Sequence, residues 1–121
     1  MVKALLDTNI VIDYLSGVAA ARKEFARYSE KCISVITWME VMVGAPEDAA
    51  PETRAFLSTF ELVDIGTPVA ERAVALRKQH RIKLPDAIVW ASAQEERALL
   101  VTRNTKDFPK GDPGVRHPYV V

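Results

Sequence analysis

The sequence predicts an α/β fold, a three-layer α/β/α sandwich with a mostly parallel central sheet. Two observations lead to this prediction: helical and strand patterns alternate along the chain, and the short strand patterns are almost continuously apolar. Strands of that composition are covered by helices on both faces. No linker or internal repeat divides the 121 residues, so we expect them to form one domain, residues 1–121.

The first half of the chain carries two strand patterns and three helical ones. The first helix is expected to stop near Gly17, because glycine ends helices readily. The helix after the second strand is expected to begin at an N-cap, Thr37, and to end at Gly44 and Pro46. In chain order, the predicted strand, two helices, strand and helix cover residues 2–6, 9–17, 18–30, 32–36 and 37–45.

The second half of the chain continues the alternation. Thr67 followed by Pro68 has the order of a helix cap and a first helical residue, and Pro85 repeats this arrangement before the next helix. The sequence Tyr-Val-Val then closes the chain. In chain order, the predicted helix, strand, two helices and strand cover residues 51–60, 60–65, 67–81, 83–98 and 99–102.

The composition excludes several classes of protein. Sixteen basic residues balance sixteen acidic ones, so any binding of nucleic acid must be local. Cys32 is the only cysteine, which excludes an intrachain disulfide framework and a thiolate zinc cage and fits a reducing compartment. No signal-peptide pattern is present, and no apolar stretch approaches the roughly 20 residues that span a bilayer. We therefore expect a cytoplasmic protein that is not bound to a membrane.

Asp7 stands at the end of the first predicted strand, after an apolar run whose only earlier charge is Lys3. In parallel α/β folds, ligands bind in the crevice beyond the carboxyl ends of the strands. Asp7 is therefore placed at a candidate active site. The alternative is that Asp7 only caps the helix that begins at Asn9.

Glu40 is the only charged residue between Lys31 and Glu47. A helix this apolar is expected to be mostly buried, and an unpaired carboxylate in it would cost several kcal/mol or stay protonated. Glu40 therefore needs a partner. Either an arginine forms a salt bridge with it, or a bound cation neutralises it.

Asp86 directly follows Pro85, in the first turn of an apolar helix. A carboxylate at this position faces the exposed N–H groups and the positive end of the helix dipole, which is a sufficient structural reason for its presence. The same helix terminus also points at the crevice beyond the strands. Asp86 is therefore a third candidate for the acidic site.

The segment after the last predicted strand brings Thr102, Asn104 and Asp107 into one tight loop. Asn and Asp in such a loop are also ordinary turn residues that bond their own backbone. Together with the three acids, however, this loop describes a set of oxygen ligands with only two scattered histidines, His80 and His117. Oxygen ligands suit Mg²⁺ or Mn²⁺ and not zinc.

Four segments that contain these residues resemble the successive motifs of the PIN-domain ribonucleases, in particular the VapC-type toxins of bacterial toxin–antitoxin pairs. The similarity covers almost the whole chain in order and length. The four segments are LLDTNIVIDYL, ITWMEVMVG, LPDAIVWASA and LLVTRNTKDF.

The resemblance implies an endoribonuclease that hydrolyses RNA phosphodiester bonds with Mg²⁺ or Mn²⁺. Asp7, Glu40 and Asp86 match the acidic triad of the family. Asn104 and Asp107 are both candidates for the fourth position, and Thr102 is a supporting hydroxyl. The resemblance also implies a homodimer and a small cognate antitoxin whose tail occupies the acidic crevice.

A basic stretch precedes Asp86, with no acidic residue between Glu71 and Asp86. Its position favours contacts with the phosphates of an RNA strand, although an ordinary solvated helix face is the alternative. Base preference cannot be read from such contacts. The candidate phosphate-binding residues are Arg72, Arg77, Lys78, Arg81 and Lys83.

Two other protein classes share part of the pattern. The DTNIV segment resembles the opening of haloacid-dehalogenase-type phosphohydrolases, but Asn9 stands where their second Asp is required. Asp64 at a strand end suggests a receiver-like signalling domain, but Thr8 follows Asp7 where an adjacent acid pair is expected. Neither class gives Glu40 a role.

Overall fold

The structure is a computed structural model that describes residues 2–121. Its helices are Thr8–Leu15 (α1), Ala19–Phe25 (α2), Val35–Gly44 (α3), Ala50–Leu57 (α4), Thr67–His80 (α5) and Leu84–Glu95 (α6), with a 3₁₀ turn at Glu47–Ala49. Its strands are Lys3–Leu6 (β1), Glu30–Ser34 (β2), Glu61–Val63 (β3), Leu99–Val101 (β4) and Val115–Arg116 (β5).

The five strands form one sheet in the order β3-β2-β1-β4-β5, and every neighbouring pair is parallel. Successive residues of β1 point to opposite faces of this sheet. Leu5 packs in the apolar cluster formed with α5 and α6, whereas Ala4 and Leu6 pack in the cluster formed with α1 to α4. Both faces are therefore covered, which confirms the predicted three-layer α/β/α sandwich.

The central strand β1 pairs with β2 on one side and with β4 on the other. The strand order reverses at this point, because β2 and β3 continue to one side and β4 and β5 to the other. Such a reversal opens a crevice at the carboxyl ends of the strands. The residues that directly follow β1 and β4, Asp7 and Thr102, lie at this edge.

Several element boundaries differ from the sequence prediction. The predicted Thr37 cap of α3 is wrong: the helix begins at Val35, and the side chain of Ser34 accepts a hydrogen bond from the N–H of Ile36. The predicted strand over 32–36 therefore ends at Ser34, since the cap outweighs the strand preference of the two β-branched residues that follow. The predicted helix over 18–30 is shorter, and β5 was not predicted.

No helix within residues 2–121 is long and apolar enough to cross a lipid bilayer.

Candidate active site

Asp7 is a buried helix cap whose carboxylate also faces the crevice. Its Oδ1 accepts a hydrogen bond from the N–H of Thr8 at 2.8 Å, and its Oδ2 accepts one from the hydroxyl of Thr102 at 2.8 Å. Burial nevertheless raises the pKa of Asp7 above its ordinary value, because these hydrogen bonds offset only part of the lost hydration. Asp7 is therefore held in place by α1 and β4 while its charge remains costly.

Glu40 lies on the outer side of α3 and is exposed, so the expectation that it would be buried is wrong. The helix is apolar without being enclosed, since Val43 on the same helix is 87% exposed. Glu40 Oε1 accepts a hydrogen bond from the Thr8 hydroxyl at 2.7 Å. It takes part in none of the ion pairs formed within residues 2–121, so the arginine partner considered above is not found there.

Asp86 lies in the first turn of α6 and is partly buried. No side chain or backbone group within residues 2–121 donates a hydrogen bond to its carboxylate. Burial is the main reason that its pKa rises to about 6, and repulsion from Asp7, Asp107 and Glu40 adds to this rise. Asp86 is therefore repelled by all three of the other candidate acids, as expected for carboxylates that face one crevice.

The loop after β4 is built around the side chain of Asn104. Its Oδ1 accepts hydrogen bonds from the N–H groups of Lys106 and Asp107, and its Nδ2 donates to Asp107 Oδ2 at 2.9 Å. The backbone N–H of Asn104 in turn donates to Thr102 Oγ1 at 3.0 Å. Phe108 is fully buried and packs edge-on against Trp90, which fixes the end of the loop.

Three polar residues that the sequence reasoning did not select complete the crevice. Asn9 donates from Nδ2 to Asp7 Oδ2 and to Thr102 Oγ1, both at 3.3 Å, and its Oδ1 accepts from the N–H of Arg103. The Thr8 hydroxyl lies 3.0 Å from the hydroxyl of the fully buried Thr37. The available signal was position: Thr8 and Asn9 follow Asp7 at a strand end.

Two ion pairs tie the C-terminal segment to α1 and α2. Arg103 contacts the buried carboxylate of Asp13 through Nε at 2.6 Å and Nη2 at 3.1 Å, and the Tyr119 hydroxyl donates to the same carboxylate at 2.9 Å. Arg116 binds the buried carboxylate of Glu24 in the same two-point manner. Both contacts join residues about 90 positions apart in the sequence, and the first one holds the loop that carries Asp107.

The basic stretch does not act as one surface. Arg77 donates a hydrogen bond from Nη1 to the carbonyl oxygen of Ile82, and Arg72 pairs with Glu95. Both arginines are thus engaged by neighbouring groups, although both residues are exposed. The side chains of the remaining three candidates are exposed and form no ion pair within residues 2–121: they are Lys78, Arg81 and Lys83.

The donor set of the crevice is chemically suited to a hard divalent cation, because it consists of carboxylate oxygens with hydroxyl and amide groups beside them. Within residues 2–121, however, no three Asp, Glu, His or Cys side chains are arranged closely enough to hold a metal ion as they stand. The nearest histidine, His117, is turned away: its Nδ1 donates to the carbonyl oxygen of Thr102 at 3.0 Å. A cation would therefore have to draw the carboxylates together.

Comparison with known proteins gives a consistent result. The sequence model of the PIN domain matches residues 4–112. The tRNA(fMet)-specific endonuclease VapC of Salmonella typhimurium is 32% identical over 96% of each chain. Among solved structures, a chain of a toxin–antitoxin complex from Klebsiella pneumoniae is 50% identical with a TM-score of 0.93, covering 98% of this chain and 100% of that one. A chain of the DNA-bound VapBC complex from Salmonella typhimurium is 29% identical with a TM-score of 0.76, covering 96% of each chain.

Proposed function

Because the chain belongs to the PIN-domain family, and is a VapC-type ribonuclease of the toxin–antitoxin class, we propose that it cleaves RNA at the acidic crevice with a bound Mg²⁺ or Mn²⁺. The observation that supports this most strongly is that Asp86 is repelled by three other carboxylates, and that the single charge of Lys83 offsets only a small part of this repulsion. Such an arrangement costs stability, so a bound cation is the simplest reason for it. The metal ligands are Asp7, Glu40, Asp86 and Asp107.

Each ligand is prepared in a different way. Asp7 is held by Thr102 and by the first N–H of α1, and Glu40 is oriented by the Thr8 hydroxyl. Asp107 supplies the fourth carboxylate, whereas the Asn104 side chain is occupied in shaping the loop and orienting that carboxylate. When bound, a divalent cation supplies the positive charge that lets a phosphate approach the acids and polarises the reacting oxygens.

The exposed cations in the last turn of α5 and in the connection to α6 are proposed to bind the RNA backbone. Lys83 is the N-cap residue of α6, and its charge acts on the nearby Asp86. Arg81 has a left-handed backbone, with φ of 57°, and turns the chain from α5 towards α6. Together with Lys78, these residues present positive charge beside the crevice. Their contacts would be with phosphates and would not select bases.

Removal of divalent metal should abolish RNA cleavage, because neither the approach of the phosphate nor the reaction can proceed against four uncompensated carboxylates. We expect the purified protein to cleave single-stranded RNA with Mg²⁺ or Mn²⁺ and to lose this activity in EDTA. The tRNA(fMet) on which the Salmonella typhimurium relative acts is a second substrate to test. Gel analysis of the products, with Mg²⁺ added back in excess, is the measurement. Cleavage that continues unchanged in EDTA would disprove the metal site.

An apolar groove between α1, α3 and α4 is the proposed docking surface for the antitoxin. It encloses about 420 Å³ and is lined by apolar residues that include Ile12, Leu15 and Val41. Ile12 and Leu15 are 45% and 42% exposed and both line this groove, and an adjoining set of exposed apolar side chains is the kind of surface that a partner covers. The groove begins near the acidic crevice, because α1 and α3 also carry Thr8 and Glu40.

The chemistry of the groove specifies its occupant. Its apolar floor fits the apolar face of an amphipathic segment. Glu52 lines one edge of the groove, and the neighbouring 3₁₀ turn carries Glu47 and Asp48, so the segment should carry basic residues on that side. A basic residue that continues into the crevice, such as an arginine, would meet the metal-binding carboxylates. This groove is therefore proposed to bind an antitoxin, as related chains do in their toxin–antitoxin complexes. A homodimer and a cytoplasmic location remain predictions.

Ile12→Asp should weaken antitoxin binding by about 30-fold or more, because it places a charge in an apolar contact. Val74→Asp is the matched control, since Val74 is 49% exposed on α5, on the other side of the sheet. Titration calorimetry with the cognate antitoxin measures both variants, and both should keep their ribonuclease activity. Equal affinities for the two variants would place the antitoxin elsewhere.

A further inference from the structure

A second hollow lies beside the acidic crevice, between the loop after β4 and the C-terminal segment. It encloses about 490 Å³, which is large enough for a nucleotide. One wall is formed by Arg103, Thr105 and Lys110, and the facing wall by His117 and Tyr119. None of these five residues belongs to the proposed metal-binding set.

The loop beside this hollow carries two lysines that form no ion pair within residues 2–121. Lys110 is exposed and forms no ion pair within residues 2–121, and the same holds for Lys106 on the same loop. The carboxylate of Asp107 receives the Asn104 amide, and that of Asp112 receives the N–H of Gly114. Neither carboxylate forms an ion pair with Lys106 or Lys110, so both ammonium groups are available to an anion.

Arg103 contributes shape more than charge. Its guanidinium is bound at two points to Asp13, which also accepts a hydrogen bond from Tyr119. This arrangement fixes the Tyr119 side chain in the wall of the hollow, and the His117 ring is fixed by its bond to the Thr102 carbonyl. Two immobilised aromatic rings beside a free ammonium group are the components with which proteins bind single-stranded RNA.

One loop contributes residues both to the hollow and to the crevice. Lys110 follows Asp107 by three residues, so their Cα atoms can be at most about 11 Å apart. We propose that this hollow binds a nucleotide of the RNA strand next to the cleavage position, with its phosphate on Lys110 and Thr105 and its base against Tyr119 and His117. The proposal rests on the proposed function, because the ligand is the same RNA strand.

The test measures RNA binding apart from cleavage and uses the full-length Asp7→Asn variant as the background. Fluorescence anisotropy with a labelled single-stranded RNA, in Mg²⁺ and at several NaCl concentrations, gives the slope of log Kd against log salt. Loss of one phosphate contact on a single strand should reduce this slope by about 0.7. We expect that reduction for Asp7→Asn/Lys110→Asn, together with weaker binding, and we expect Thr105→Val to weaken binding without changing the slope.

The matched control is Asp7→Asn/Arg97→Asn, which removes one positive charge at the opposite end of the sheet. Arg97 is exposed, precedes β4, and has φ of 52°, a conformation that asparagine tolerates. Identical slopes for the Lys110 and Arg97 variants would overturn the subsite while leaving the nuclease assignment intact. If Lys110→Asn instead weakens only the antitoxin complex, the hollow binds an acidic peptide and the proposal is equally wrong. Failure of the proposed function would show differently, as metal-independent cleavage or none by the wild-type protein.

Discussion

Asp7→Asn, Glu40→Gln and Asp86→Asn should each lower the rate of RNA cleavage by at least about 100-fold. Each substitution removes one negative ligand from the crevice, and the cation is responsible for several kcal/mol of transition-state stabilisation. All three replacements keep the size of the side chain, so the fold should persist. Single-turnover cleavage assays measure the loss, and circular dichroism melts confirm that the variants are folded.

Loss of function should be graded across the five positions. Asn104→Ala should have a smaller effect than the three substitutions above, because Asn104 orients Asp107 without contacting the cation in our proposal. Asp107→Asn should also have a smaller effect, because Asp107 lies on the loop after β4 and its carboxylate is already shared with the Asn104 amide. In a bacterial host, expression of the wild-type protein alone should be toxic and Asp7→Asn should relieve the toxicity. Equal losses at all five positions, or equal growth with wild type and Asp7→Asn, would contradict this assignment.

The metal-free protein should become more stable as the pH falls from 7 to 5. The pKa of Asp86 is about 6 in the folded state and near 3.9 when unfolded, so the folded protein binds more protons between these values. The free energy of unfolding of the metal-free protein therefore increases as the pH falls through 6 and Asp86 becomes protonated in the folded state. The gain from Asp86 should be about 1 to 2 kcal/mol, because the residue is only partly buried and solvent screens its charge.

Buried Asp7, whose pKa is also raised, should add to this gain, and Asp7→Asn should raise the melting temperature of the metal-free protein at pH 7. Added Mg²⁺ should stabilise the wild type at pH 7 by binding only the folded state. Asp48→Asn, at an exposed position in the 3₁₀ turn, serves as the control and should change neither quantity. The predicted gain in stability is limited to the range above pH 5 because of Glu24. Burial tends to raise the pKa of Glu24, but its bonds to Arg116 and Tyr28 hold this pKa below its ordinary value, so protonation of Glu24 at lower pH reduces the stability of the folded protein. Melting temperatures that are independent of both pH and Mg²⁺ would rule out an acidic metal site.

The sequence was sufficient to predict that residues after different strands meet at one edge of the sheet, because parallel strands bring their carboxyl ends together. Asp7 follows β1 and Thr102 follows β4, and the register of these strands places them in direct contact. The starts of α5 and α6 were predictable to within one residue from Pro68 and Pro85, but the predicted cap Thr67 is wrong: the caps are Gly66 and Lys83, and the helices begin at Thr67 and Leu84. The positions of helix starts are predictable because they depend on the backbone preferences of a few residues that are adjacent in the sequence.

Features that depend on distant contacts could not be predicted in this way. The exposure of Glu40 follows from the apolar groove beside α3, which a partner is proposed to cover, so the hydrophobicity of the helix gave a misleading indication of burial. Strand β5 has only two residues, and its pairing with β4 outweighs a weak local preference. The roles of Thr8 and Asn9 required knowledge of which side chains face them from α3 and from the loop after β4.

The hydrogen bond from Thr102 to Asp7 joins residues 95 positions apart and has a consequence for biosynthesis. Strand β1 leaves the ribosome first, but its partner β4 and the loop with Asp107 emerge near the end of the chain. At about 5 to 20 residues per second, roughly 5 to 20 s pass between the synthesis of the two halves of the site. A nascent chain that lacks β4 and this loop therefore cannot form the proposed site. Catalytic competence would arise only after β4 has paired with β1.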